Sequence, residues 1–235
     1  MATGRLSSSP SQLALQVRQR LVSQAAVMMD SLLVLVQNKL TSLMDEAAPS
    51  REMQVRRDAW MSYQQTKARW LSGTVKAWQL ALMPGVTTAS TSAKPKVQKL
   101  ELLGTEVVED KIIASRLALD LMEKGAKDVN DLRKRLKRLN DDEPLSSTDI
   151  AHPEVLILAM VEQWEQCGLS RESWQLINST VQKHLNEHLQ KAYALCNDEL
   201  VTQGVLPDID AADSAKSSSF GDSTLGHSSH RPTPG

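Results

Sequence analysis

From Leu13 to Leu43 apolar side chains return every three or four positions: Leu13, Val17, Leu21, Val22, Ala25, Met28, Met29, Leu32, Leu33, Val36, Leu40 and Leu43. That spacing keeps them on one face of a helix. Ser9 is placed to cap it, Pro10 suits the first helical position, and Gln12 completes a capping box. Pro49 stops it. A second helical pattern follows Ser50, itself a capping residue, and carries Met53, Trp60, Tyr63, Trp70, Leu71, Trp78 and Leu82 up to Met83-Pro84-Gly85. Two long helices with a short connection predict an antiparallel hairpin over residues 10–83.

Periodicity lapses over residues 84–99, a Pro-, Ser-, Thr- and Lys-containing stretch that reads as a linker. Leu100 to Gly104 reads as an apolar staple before a third helix capped by Thr105. There Val108, Ile112, Leu119, Met122, Ala126, Val129, Leu136 and Leu139 approach a heptad seam, interrupted by Ser115 and Arg133. Acids open this helix and bases close it, as the helix dipole favours. Asn140 to His152 forms a loop. A fourth helix is predicted from Pro153 to Gln166, stopped by Gly168, and a fifth from its Ser170 cap to Gln203, closed by Gly204. Residues 100–206 thus form a C-terminal helical unit. Residues 207–235, rich in Ser, Gly, Asp, Ala, Thr and Pro, read as a disordered tail.

The fold class expected is all-α. Composition strengthens this: aromatics are 3% of 235 residues, too few for a sandwich or barrel that leans on aromatic strands. The N-terminus lacks the apolar core of a signal peptide. The longest unbroken apolar run, Val155–Val161, is far short of the roughly 20 residues that span a bilayer. A cytoplasmic protein with no membrane partner is therefore expected. Cys167 and Cys196 fit a reducing compartment as small buried hydrophobes.

The net charge of −1 conceals two opposed parts. Residues 1–139 hold 22 basic and 13 acidic side chains, net +9, whereas residues 140–235 hold 5 and 15, net −10. An acidic half that docks on a basic half, within or between chains, is the simplest use of that division. The basic run Arg133, Lys134, Arg135, Lys137 and Arg138 can alternatively touch phosphate. It lacks a recognition-helix motif and stacking aromatics, so a nucleic-acid partner for the basic N-terminal half is disfavoured.

One literal chemical motif stands out. His184-Leu185-Asn186-Glu187-His188 has the H-x-x-E-H form, in which two histidines on one helical face bind zinc and Glu187 acts as general base. A metal-dependent hydrolase would also need a ligand on another element, and Glu199 lies too far along the same helix. A helical wheel places His188 with Val181, Leu185 and Ala192 on the packed face. No catalytic, cofactor-binding or metal-binding residue is therefore assigned, and no cofactor is expected. Trp60, Trp70 and Trp78 can line a ligand box, but packing anchors are the commoner use of such residues. Asn140-Asp141-Asp142-Glu143 lacks the alternation and central Gly of a calcium loop. No phosphate loop, nucleophile elbow, CxxC pair or dinucleotide fingerprint is present.

Three stretches carry a family resemblance: Leu100-Glu101-Leu102-Leu103 with its acid-opened helix, the Asp142-Glu143-Pro144-Leu145 loop, and the ending from Asn197 to Asp208, which includes Gly204-Val205-Leu206-Pro207-Asp208. Together they resemble a proteobacterial family of unknown function, the domain-of-unknown-function 1631 family, whose members often carry a thymidine phosphorylase label. The resemblance covers roughly residues 13–210 and implies the family's N-terminal helical portion. Glu143 stands where the family usually has Asn. The phosphorylase label is rejected on chemistry, because that reaction needs a phosphate cradle this chain lacks. The resemblance supplies no catalytic residue. The expected function is a non-enzymatic helical interaction or regulatory protein whose partner is another protein or a second copy, joined helix to helix.

Overall fold

The computed structural model describes residues 9–83 and 97–209, with side chains of 97–107 excepted. Among the described residues there are five helices and no strand: α1 (Pro10–Asp45), α2 (Ser50–Ala81), α3 (Val97–Leu139), α4 (Pro153–Gln166) and α5 (Arg171–Thr202). The all-α expectation holds. The expected tail lies, from residue 210 onward, outside the described residues, as does linker segment 84–96.

The Ser9 capping box forms in both directions, Gln12 N to Ser9 Oγ at 3.3 Å and Ser9 N to Gln12 Oε1 at 3.1 Å. Nearly the whole apolar face read for α1 is buried, with Leu33 only partly so. Gly168 and Gly204 both adopt left-handed backbone (φ 83° and 79°), as helix-ending glycines should.

Three local readings change. Ser50 is the first residue inside α2 and makes no cap, because Pro49 occupies the capping position. Residues 97–99 are helical rather than linker, so Leu100–Gly104 and Thr105 lie inside α3 rather than before its start. The seam assigned to α3 is also mis-phased in its first half. Asp110, Ala114, Leu117, Ala118 and Leu121 face the bundle there, continuing into Val129, Leu132, Leu136 and Leu139. Val108, Ile112 and Leu119 face outward. This half of α3 has two apolar faces, and periodicity cannot say which one meets the core.

Side-chain bonds show how the helices run. Arg56 reaches Leu43 O and Trp60 reaches Thr41, while Lys67 reaches Gln37 and Tyr63 reaches Leu33 O, so α1 and α2 are antiparallel. Arg20 pairs with Glu199 and Ser31 meets His184, so α5 is antiparallel to α1. Asp120 meets Asn186, and Asn197 donates to Asp128 O, so α5 is parallel to α3. Trp70 and Trp78 donate to Met160 O and Leu156 O, so α4 is antiparallel to α2. The α1–α2 hairpin and the later helices share one continuous apolar core.

Three of the opposed charges meet within the chain: Arg18–Asp149, Arg20–Glu199 and Arg138–Asp142. Arg171 runs the other way, from the acidic half to Glu109 and Asp110. By length and composition α1 could cross a membrane, with an 18-residue window of mean hydropathy 1.3. Ser23-Gln24, Asp30-Ser31 and Gln37-Asn38 interrupt it, so its longest unbroken apolar runs are only five residues, Ala25–Met29 and Leu32–Val36. In this fold its apolar stripe packs on α2 and α5.

Candidate interaction surface

The motif His184–Glu187–His188 lies on α5 as an adjacent pair of rings, centroids 4.0 Å apart, with Glu187 exposed. It is His184, rather than His188, that is buried. The wheel put His188 on the packed face, but α1 covers the side of α5 that carries His184. His184 Nε2 lies 3.1 Å from Met28 O and 2.9 Å from Ser31 Oγ. A carbonyl only accepts, so Nε2 carries the proton and points it into α1. His188 Nδ1 likewise donates to His184 O at 3.0 Å, one turn back. The pair thus has one ring nitrogen each committed to backbone. Among the described residues no group of three or more His, Cys, Asp or Glu side chains gathers as a metal site would require.

Burial holds His184 below the ordinary imidazole value of 6.5, against the opposing pull of the Met28 carbonyl. In the unfolded chain the ring protonates as pH falls through about 6.5, whereas in the folded chain it does so only at lower pH. The unfolded state therefore binds the proton first, and stability present above 6.5 is lost as pH falls below it. In urea titrations at about pH 7.5 and 5.5, His184→Gln should flatten that loss, since a neutral amide still donates to Met28 O. An unchanged pH slope would show that His184 does not carry it.

The tryptophans are packing anchors. Trp70 and Trp78 are buried, and Trp60 is half-buried at the α1–α2 edge. The sequence does not reveal that Trp164 of α4 and Trp174 of α5 join Trp70 and Tyr63 in one aromatic cluster. Trp164 lies edge-on to both Trp70 and Trp174, with centroids 4.9 and 5.4 Å away. The basic run is also divided: Arg135 is buried and donates to Asn197 Oδ1 at 2.7 Å, and Arg138 pairs with Asp142.

A polar cleft of about 390 Å³ lies between α3 and α5, with Asp120, Lys124, Asn186 and Gln190 among its walls. Hydrogen bonds from Asn186 and Gln182 keep the Asp120 carboxyl below the usual range. Asn186 bonds to Asp120 across the helix pair, and Lys124 pairs with Asp120 one turn away on α3.

The apolar surface lies elsewhere. Val108, Ile112 and Leu119 are 55%, 44% and 62% exposed. With Lys111, Ser115 and Arg116 they line a groove of about 320 Å³. Spacings of four, three and four place Val108, Ile112, Ser115 and Leu119 in one stripe. Ala114, Leu117 and Leu121 lie on the opposite side of the helix and face the core. Ser115, which reads in sequence as a break in a core seam, is the low point of this outward stripe. The signal was present in the spacing, but only the packing of α4 and α5 shows that it faces outward.

The fold is therefore that of an all-α protein of five helices around one core, with an apolar stripe left on the outside of α3. The chain belongs to the DUF1631 family: the family model described as "Protein of unknown function (DUF1631) N-terminal domain" matches residues 9–204. No curated protein and no solved structure matches the chain.

Proposed function

We propose that this chain is a non-enzymatic, cytoplasmic helical interaction protein that acts by helix–helix association on the outer face of α3. The observation that carries the reading is the stripe Val108–Ile112–Leu119, three large apolar side chains in register on a face that no described helix covers. Large exposed apolar side chains aligned along one helix are the usual mark of a helix-docking site. The commitment of His184 Nε2 to Met28 O and Ser31 Oγ supports a structural role for the H-x-x-E-H motif. Buried, unpaired Cys167 and Cys196 support a reducing compartment, and burial pushes the Cys196 thiol up to about 12, which leaves it unreactive.

The test is a photoreactive side chain substituted for exposed Lys111, on the rim of the stripe, in the full chain and illuminated in cells. A discrete adduct that disappears when Leu119→Glu is added is the expected result. A folded chain that forms no adduct at this position would retire the reading.

A further inference from the structure

We infer that the α3 stripe pairs with the α3 stripe of a second copy of this chain, antiparallel about a two-fold axis that passes between Ile112 and Ser115. This deepens the proposed function and rests on it.

The first argument is shape. In an antiparallel two-fold pair each residue faces one whose number completes a constant sum. An axis midway between Ile112 and Ser115 sets Val108 against the partner's Leu119, and Ile112 against the partner's Ser115. Every layer then joins a larger side chain to a smaller one, and the small Ser115 receives Ile112. A parallel pair would oppose Ile112 to Ile112 and Ser115 to Ser115, crowding one layer and leaving a gap in the next. Interdigitation of large with small is what packs a helix seam densely.

The second argument is charge. Arg116 is exposed and makes no ion pair among the described residues. Glu109 lies on the same edge of the stripe, two turns earlier, and its carboxylate is half-exposed although it also meets Arg171. Two turns are about 10 Å along the axis, too far for the two to bond within one helix. An antiparallel two-fold keeps each edge with its own counterpart. Arg116 then comes about two residues' rise, roughly 3 Å along the axis, from the partner's Glu109. The pair forms twice, once on each side of the axis. Lys111 lies on the other edge, and its partner counterpart is five residues' rise away, about 7.5 Å, so the two ammonium groups can splay into solvent. The seam is short, so the dimer is a reversible one, set by concentration.

Sedimentation equilibrium of the purified full chain over about 10 μM to 1 mM should show the average mass rising from 25.9 kDa toward twice that value. Leu119→Glu, at an exposed position, should keep its helical circular dichroism and remain at 25.9 kDa throughout. Register is read separately. A mixture of Ile112→Cys and Ser115→Cys chains should form intermolecular disulfide roughly tenfold faster than either variant alone, because only the mixture places the two thiols face to face. The native cysteines are buried and do not compete. A mass of 25.9 kDa at every concentration, or equal oxidation rates in the three samples, would overturn the self-pairing. If that monomer still forms the Leu119-dependent adduct in cells, or sediments with anionic vesicles, the stripe belongs to another protein or to lipid. In the first of those cases the docking reading survives and only the choice of partner fails.

Discussion

Trp70→Ala should cost about 4 kcal/mol of folding stability, as full removal of a buried tryptophan does. The side chain is inaccessible to solvent and sits where α2 meets α4. Its ring lies edge-on to Trp164 and to Tyr63, at 4.9 and 6.3 Å between centroids. Its Nε1 donates to Met160 O at 3.0 Å. Truncation opens a void beside Trp164 and Tyr63 and removes one edge-to-face partner from each. Domains of this kind are typically stable by about 5–15 kcal/mol, so the loss is a large share of the whole. Trp70→Phe separates the contributions: it retains most of the ring and removes the N–H, and should cost about 1–2 kcal/mol. Urea denaturation followed by circular dichroism measures both. A loss under about 1 kcal/mol for Trp70→Ala would mean that the cluster is not the junction of α2 with the later helices.

Arg18→Met should cost about 2–4 kcal/mol, somewhat below the range for breaking a fully buried ion pair because a little solvent reaches both groups. Arg18 Nη2 and Nε hold the Asp149 carboxylate at 2.6 and 3.1 Å, and the two side chains are only 14% and 10% exposed. The methionine preserves the length and apolar stem while leaving Asp149 without its cation. Asp149 in turn accepts from Ala151 N at 2.9 Å, and Ala151 O accepts from Tyr193 Oη at 3.1 Å. The chain α1–Asp149–Ala151–α5 therefore pins the loop that leads into α4. Hydrogen exchange should show Ala151 and its neighbours losing protection before the helices do. Arg18→Met/Asp149→Asn should recover part of the stability, since it removes the stranded charge, and the double-mutant cycle isolates the pair. If the single change costs no more than an exposed ion pair, under about 1 kcal/mol, the loop is held by Ile150 and Ala151 burial instead.

Both predictions depend on residues that sequence alone does not bring together. Arg18 and Asp149 are 131 positions apart, and nothing local in either segment marks the pairing. Trp60, Trp70 and Trp78 are visible as anchors, but Trp164 meets Trp70, and Trp174 meets Trp164, only when α4 and α5 fold back. The end of α1 shows the same limit. Pro49 signals that the helix stops, whereas the group that satisfies its last carbonyls is Arg56, one helix later, bonded to Leu43 O and Glu46 O at 2.7 and 3.1 Å.

What the sequence by itself determined is local. The Ser9–Gln12 box, the glycines at 168 and 204 and the period of α1 are each a contest between neighbouring residues and the backbone, settled within a turn or two. They suffice for five helices, for the all-α class and for the buried face of α1, which has a single apolar side and so only one way to pack. Which of two faces points inward was decided by the tertiary structure wherever a helix offered both. On α5 it was His184 rather than His188 that α1 covered. On α3 the packing of α4 and α5 buried Ala114, Leu117 and Leu121, and left Val108, Ile112 and Leu119 to the outside. Burial depends on what lies opposite, and a helix period records only that a face exists.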